Sequence, residues 1–364
     1  MVKKVQSQIE NLMQGLNLPY YYVKVGKGDL DLLSFGYNEG KIATGNEKLF
    51  MFSCTKPLTV TCGLKLIEKG LLSLNDKVGK YLPFVNDCFI IDKDGNKQIV
   101  GDKITVKHLF TMTAGFSYNF DNEPFKRVFI DNDNPPTLKV IESICKSPLI
   151  SMPGERFNYS FCHDVLAGVI EVVSKKPFAK FMEETIFNPL GFQNTAFDYE
   201  DKSDFANLYY YNGGFCKSKL VNNLVFSKNW HSGGAGVIST ANDYYKFVKT
   251  LANGGGEILS QNSLKLLYTE SVKSISVNNN FTCVQGDDYG YGLGVRTRVK
   301  STEYGLPITE FGWDGAAGSY LMVDTINKVS VFIAMHVENW PEFFTGKHLE
   351  IVKLIYENLI DNSK

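Results

Sequence analysis

Strand-like apolar runs sit at both ends of the chain, and segments of helical period fill its middle. Residues 2–15 space their apolar side chains as an amphipathic helix does. Pro19–Val25 and Asp29–Phe35 read as two strands around Gly26-Lys27-Gly28, whose turn chemistry predicts a hairpin. At the far end, Tyr291–Val299, Tyr320–Asp324 and Val329–Met335 are three further strand candidates. The last two are joined across Thr325–Lys328, and an amphipathic helix is predicted over about 345–360.

Between these ends, a helix opening at Ser53 stops at Lys69-Gly70. Ile104–Met112 is a helix with Thr105 as its cap, stopped by Ala114-Gly115. Further helices are predicted over 138–146, after Tyr159, over Phe178–Thr185 and over Thr240–Leu251. The stretch 195–235 reads as loop, with the aromatic run Tyr209–Tyr211 and a flexible bend at Ser232-Gly233-Gly234-Ala235-Gly236. The economical packing is an α/β (α+β) fold. An antiparallel sheet of five or more strands, drawn from both chain ends and flanked by helices, carries an inserted, mostly helical lobe. Residues 1–70 with 232–364 form the sheet domain in this reading, 71–231 the lobe, and a small-molecule site is expected in the cleft between them.

With 364 residues the chain can bury a large core, and 44% hydrophobic with 21% charged residues is ordinary for a globular protein. The net charge of −1 and the lack of a dense Lys/Arg block argue against nucleic acid or anionic membrane as partner. No apolar run approaches a membrane span, and the charged N-terminus has no apolar segment behind it, so a cytoplasmic location is expected. Seven cysteines at 54, 62, 88, 145, 162, 216 and 283 lack paired spacing and read as buried thiols in a reducing compartment. The five scattered histidines include no His-x-x-x-His pair, so a metal centre has little support. Oligomeric state is not legible.

Chemistry concentrates at Phe52-Ser53-Cys54-Thr55-Lys56-Pro57. If Ser53 opens a helix, Lys56 lies one turn on along the same face, and unpaired N–H groups of the helix start lie beside the hydroxyl. Roughly two Ser-x-x-Lys matches are expected by chance in such a chain, and two occur, Ser53/Lys56 and Ser143/Lys146. The second falls inside an amphipathic helix, where both residues are expected to face water. His108 reads as a packing or capping residue, having no acidic neighbour in sequence.

Five segments in order lift Ser53/Lys56 above chance: Phe52–Pro57, Ile104–Gly115, Tyr159-Ser160-Phe161, Ser232–Gly236 and Phe311–Gly318. Together they resemble the serine β-lactamase and penicillin-binding-protein superfamily, in its class C β-lactamase-like and family VIII esterase branch, over about residues 20–340. The resemblance implies Ser53 as acylated nucleophile, Lys56 as the amine that takes its proton and Tyr159 as the phenol sharing the acid–base work. Trp313-Asp314-Gly315 stands where that family has Lys-Thr-Gly, His-x-Gly or, in its esterases, Trp-x-Gly. The backbone N–H groups of Ser53 and Ala316 would form the oxyanion hole. No metal or organic cofactor is implied. His231-Ser232-Gly233 also spells His-x-Gly, but a helix follows it where a strand is required. Asp164 reads as a cap or charge partner at the start of its helix, and Tyr209–Tyr211 as pocket wall or ordinary loop.

An ordinary lysine is protonated at neutral pH, so Lys56 can act as a base only if its surroundings cost the cation roughly 4 kcal/mol. Two departures from the family pattern bear on substrate. Phe161 replaces the asparagine of Tyr-x-Asn, and Trp313 replaces a cation that would hold a carboxylate. Both make the substrate-binding set Phe161, Trp313, Asp314 and Gly315 less suited to an anionic lactam or D-alanyl peptide. Hydrolysis of small carboxylic esters is the reading favoured. A β-lactamase or D-amino-acid peptidase (or amidase) and a non-catalytic ligand-binding relative are the alternatives.

Overall fold

The computed structural model describes residues 1–199, 201, 203–218, 229–277, 288–344 and 346–360. Eight strands, numbered here along the chain, build the main sheet: β1 (Tyr20–Lys27), β2 (Leu30–Asn38), β3 (Lys41–Ile42), β4 (Tyr289–Tyr291), β5 (Arg296–Arg298), β6 (Phe311–Asp314), β7 (Tyr320–Asp324) and β8 (Val329–Met335). Their order is β4-β5-β6-β7-β8-β1-β2-β3, antiparallel throughout. The join between chain ends is β1 against β8, with Tyr21 opposite Met335 and Lys27 opposite Val329. Among the described residues ten α-helices accompany it: α1 (Val2–Gly15), α2 (Thr55–Glu68), α3 (Val106–Phe110), α4 (Glu123–Asp131), α5 (Thr137–Cys145), α6 (Cys162–Ser174), α7 (Phe178–Met182), α8 (Ala241–Ala252), α9 (Gln261–Tyr268) and α10 (Lys347–Leu359). No helix among the described residues is long and apolar enough to cross a membrane.

The period-2 pattern decides the two faces of the sheet. Tyr20, Tyr22, Phe332, Ala334, Leu321 and Val323 face the larger core, which holds α2, α6 and α8. Tyr21, Val23, Val25, Val331, Ile333 and Met322 point the other way, against Val5, Ile9 and Met13 of α1 and Ile351, Val352 and Ile355 of α10. All seven residues of β8 are buried, as a strand covered on both faces requires. A shift of one residue in β1 would turn its whole apolar set to the wrong layer.

Local signals hold where capping chemistry is strong. Thr105 and His108 form a reciprocal capping box at α3, the Thr105 N–H donating to His108 Nδ1 at 3.2 Å. Gly70, at φ +67°, ends α2 with its N–H on the Ile67 carbonyl and the Leu71 N–H on that of Leu66.

Several expectations need correction. Ser53 is not a helix cap: it lies in a 3-10 turn over Phe52–Cys54, and α2 begins at Thr55. Ser143 is buried, its hydroxyl donating to the Val140 carbonyl at 2.7 Å, because α5 is packed on its Val140, Ile144 side rather than floating with that face in water. Tyr291–Val299 is two strands with a bend at Gly294, φ +86°. Phe311–Asp314 is a full strand, and Tyr209–Tyr211 pairs with Phe215–Lys217 and Val337–Glu338 instead of running as loop. Helices α4 and α9 had no sequence counterpart. Cys216 is exposed, whereas Cys54, Cys62, Cys88, Cys145 and Cys162 are buried; Cys283 and residues 200, 202 and 219–228 of the 195–235 stretch lie outside the described residues.

Candidate active site

Residues from five distant segments meet at the start of α2. Phe52 carries φ +45°, a left-handed conformation that costs a side-chain-bearing residue energy and turns the chain sharply into Ser53. The turn is pinned on both sides. The Met51 N–H donates to the Val237 carbonyl at 2.9 Å, the Val237 N–H to Thr55 Oγ1 at 3.0 Å, and the Tyr244 hydroxyl to the Cys54 carbonyl at 2.6 Å. Upstream, the Phe50 N–H donates to His336 Nε2 at 3.2 Å. With its other ring nitrogen against the Ala206 carbonyl at 3.1 Å, that imidazole is held neutral, its pKa lowered to about 4 by burial.

One helical turn on, Lys56 is fully buried, and its Nζ lies 3.0 Å from Ser53 Oγ and 2.8 Å from the Gly234 carbonyl. The same nitrogen stands 4.5 Å from the centre of the Tyr159 ring and 5.5 Å from that of Tyr118. The Trp313 indole Nε1–H donates to the Tyr159 hydroxyl at 3.2 Å. Hydroxyl, amine, phenol and indole, taken from residues 53, 56, 159 and 313, thus form one cluster.

The Ser232–Gly236 segment is a rigid cradle, not the flexible bend its glycines suggested. Thr59 Oγ1 donates to the Gly233 carbonyl at 2.7 Å, and Asp164 Oδ1 accepts from Ser232 Oγ at 2.6 Å and from the Gly234 N–H at 3.3 Å. Asp164 is therefore the anchor of this loop; burial raises its pKa, against the opposing pull of the Ser232 bond and the Lys56 amine. A Cβ on Gly233 would lie 2.4 Å from the His163 carbonyl, and one on Gly234 2.6 Å from Asp164 Oδ2, so close packing demands glycine at both.

On the sheet side, the turn from β6 to β7 closes through the Gly315 N–H on the Ser319 carbonyl at 2.7 Å and the Gly318 N–H on that of Gly315 at 2.9 Å. Ala316 is exposed at its tip. Neither the Ser53 N–H nor the Ala316 N–H has an acceptor among the described residues. A Cβ on Gly315 would stand 2.7 Å from the Met51 carbonyl, so this glycine permits strand and serine turn to touch.

The remaining expected residues fall elsewhere. Phe161 is 3% exposed and backs Tyr118 at 4.7 Å between ring centres, with Phe120 and Phe125 closing the cluster. Asp314 turns to the opposite face of the sheet, where Arg296 Nη1 donates to its Oδ1 at 2.8 Å. His231 packs edge-on against Phe197 rather than at the hydroxyl. His108 caps its helix. Tyr209 is on the far side of the sheet, in the layer of α1 and α10.

Sequence reading missed Tyr118, Thr59, the Gly234 carbonyl and Arg296. Two signals were available: Asp164 in the apolar run Cys162–Ile170, and Arg296 within Gly294–Val299, are charges where burial is expected, and such charges need partners.

Known proteins resemble this chain along most of its length. The Beta-lactamase family model matches residues 9–354. Protein Rv1367c of Mycobacterium tuberculosis is 24% identical over 309 residues, covering 78% of this chain and 76% of its own. A putative D-alanyl-D-alanine carboxypeptidase of Salmonella typhi is 26% identical over 319 residues, covering 80% and 69%. Among solved structures, EstCE1, a hydrolase with promiscuous acyltransferase activity, superposes with a TM-score of 0.81 at 20% identity over 97% of this chain and 98% of that one. Simvastatin synthase (LovD) of Aspergillus terreus gives 0.81 at 17% identity over 98% of each. These two likenesses are likenesses of fold.

Proposed function

Because the chain belongs to the β-lactamase family of serine hydrolases, we propose that it hydrolyses small, uncharged carboxylic esters through an acyl-enzyme on Ser53. The observation that carries the reading is the 3.0 Å approach of the buried Lys56 amine to the Ser53 hydroxyl. In its neutral form Lys56 takes the hydroxyl proton while Oγ bonds to the ester carbon. The carbonyl oxygen gathers charge between the Ser53 and Ala316 N–H groups, which donate to it. As the tetrahedral species collapses, the alcohol leaves with the proton relayed through Lys56 and the Tyr159 phenol. Water then attacks the acyl carbon and gives its proton to the same groups, which return it to Ser53 Oγ as the bond from Oγ to the acyl carbon breaks and the acid leaves.

Substrate class follows from what surrounds the hydroxyl. Tyr118, Tyr159 and Trp313 wall the site with rings, and the indole N–H is engaged by Tyr159. A ring wall gives an apolar acyl or alcohol group favourable burial and contributes no cation to hold a carboxylate. That favours an ester over an anionic lactam or a peptide C-terminus. Turnover of p-nitrophenyl acetate beside a chromogenic cephalosporin, on wild type, Ser53→Ala and Lys56→Met, tests the reading. Ester turnover lost in both variants, with an acetyl adduct on the Ser53 peptide by mass spectrometry, is the expected result. Cephalosporin preference, or ester turnover surviving in Ser53→Ala, would overturn it.

A further inference from the structure

Beneath β6, on the face away from the hydroxyl, lies a group of charges that the reaction above does not use. Arg296 is wholly buried, Glu310 is wholly buried 3.7 Å from it, and Arg298 stands 3.5 Å from Glu310 on the other side. The Arg296 guanidinium is sandwiched over the Tyr320 ring at 4.4 Å. Its two ends hold two different strands: Nη1 donates to Asp314 Oδ1 at 2.8 Å on β6, and Nη2 to the Leu321 carbonyl at 2.9 Å on β7. These are the last residue of the strand entering the Gly315–Ser319 turn and the second residue of the strand leaving it. A planar guanidinium fixes the relation of two acceptors in a way that a flexible ammonium cannot. Gly312 makes the room: a Cβ there would stand 3.0 Å from Arg296 Nη2.

Stability alone does not call for such a brace. A buried ion pair can often be exchanged for apolar side chains of similar volume with little loss or even a gain. What the charges add is geometry, and the geometry fixed is that of the turn whose tip carries Ala316. Side-chain alternation along β6 makes the coupling direct. Trp313 reaches forward to Tyr159, while Asp314, its neighbour, reaches back to Arg296.

We propose that Arg296 is a positioning residue: braced between Asp314 and the Leu321 carbonyl behind the sheet, it aims the Gly315–Ser319 turn, and with it the Ala316 N–H, at the oxygen of the reacting acyl group. This rests on the acyl-enzyme reading above. An N–H misplaced by a fraction of an ångström still lets substrate bind but no longer meets the developing oxyanion, so the acylation rate falls while substrate affinity holds.

The test is the single-turnover acylation rate and KM for p-nitrophenyl acetate in the full chain, with thermal unfolding and mass mapping of the Ser53 adduct alongside. The paired replacement Arg296→Met with Asp314→Leu should fold with a midpoint near that of the wild type. Its acylation should fall about 100-fold with KM within about threefold, the scale of a lost oxyanion donor. Arg296→Lys keeps the cation but cannot span both acceptors, and should lose about tenfold. A folded paired variant acylating at the wild-type rate, or one whose loss lies entirely in KM, would overturn the proposal. If the paired variant does not fold, Arg296→Lys decides, and an undiminished rate in it overturns the proposal. Failure of the wild type to form a Ser53 adduct would instead refute the acyl-enzyme reading, and the positioning role with it.

Discussion

A single methyl group at Gly234 should separate the cradle from the amine it holds. In Gly234→Ala the new Cβ would lie 2.6 Å from Asp164 Oδ2, 3.2 Å from the Tyr118 hydroxyl and 3.4 Å from Asp164 Cγ. Asp164 cannot swing aside freely, because its other oxygen already holds Ser232 and the Gly234 N–H. The loop must therefore withdraw by roughly half an ångström or more to reach ordinary contact distance, carrying the Gly234 carbonyl away from Lys56. Overpacking of this kind costs about 1–3 kcal/mol, and a weakened buried hydrogen bond adds about 1. At about 2.1 cal/mol/K per residue, 364 residues give an unfolding entropy of about 0.8 kcal/mol/K. The midpoint should then fall by about 3–5 °C. Ester acylation should fall about 10- to 100-fold, since the amine loses the acceptor that orients it. Gly214→Ala, where an added Cβ meets nothing within 4 Å, is the control and should change neither quantity. Differential scanning calorimetry and p-nitrophenyl acetate kinetics on the pair settle the matter. Wild-type midpoint and rate in Gly234→Ala would show that the cradle does not set the amine.

Three further outcomes follow from the same geometry. Trp313→Phe keeps a ring in the wall but removes the N–H on the Tyr159 hydroxyl; kcat for p-nitrophenyl acetate should drop about tenfold with KM little changed, and an unaltered kcat would deny the bond any role. Asp164 has a raised folded pKa, so its ionisation costs stability as pH rises above the ordinary carboxylate value; Asp164→Asn should gain on wild type in thermal midpoint as the pH is raised from about 4, and a pH-independent difference would refute this. His348, stacked on Tyr320 at 4.6 Å, has its pKa pushed down to about 3, so its neutral form contributes stability above about pH 6.5 that is lost as pH falls. His348→Phe should therefore lose less stability than wild type between pH 6 and 4, by about 1.4 kcal/mol per pH unit in urea unfolding, and parallel curves would contradict it.

What the sequence revealed depended on how local its cause was. Hairpins, the cap at Thr105 and the glycine stop at Gly70 are set by residues within a few positions, and all were legible. Helix α4 was hidden because its core contact rests mainly on Phe125, packed into a ring cluster whose other members lie up to a hundred residues away. Ser143 was misplaced for the same kind of reason: amphipathic period shows which face is apolar, not which elements cover the rest. At the site, Ser53, Lys56, Tyr159 and Trp313 could be found from motif chemistry, and the structure brings them together. Asp164, Thr59 and Arg296 act through partners 68, 174 and 18 residues away, distances at which spacing carries no information.

Pairing β1 with β8 has a consequence for how the protein is made. The segment Tyr20–Lys27 leaves the ribosome some three hundred residues ahead of its partner Val329–Met335. At about 5–20 residues per second, the first strand waits on the order of 15–60 s with one edge uncovered. During that interval the hairpin partner Leu30–Asn38 covers its other edge alone. Chaperone demand should thus peak just before Val329–Met335 emerges, and the nascent chain should gain hydrolytic competence abruptly, once that strand pairs with Tyr20–Lys27.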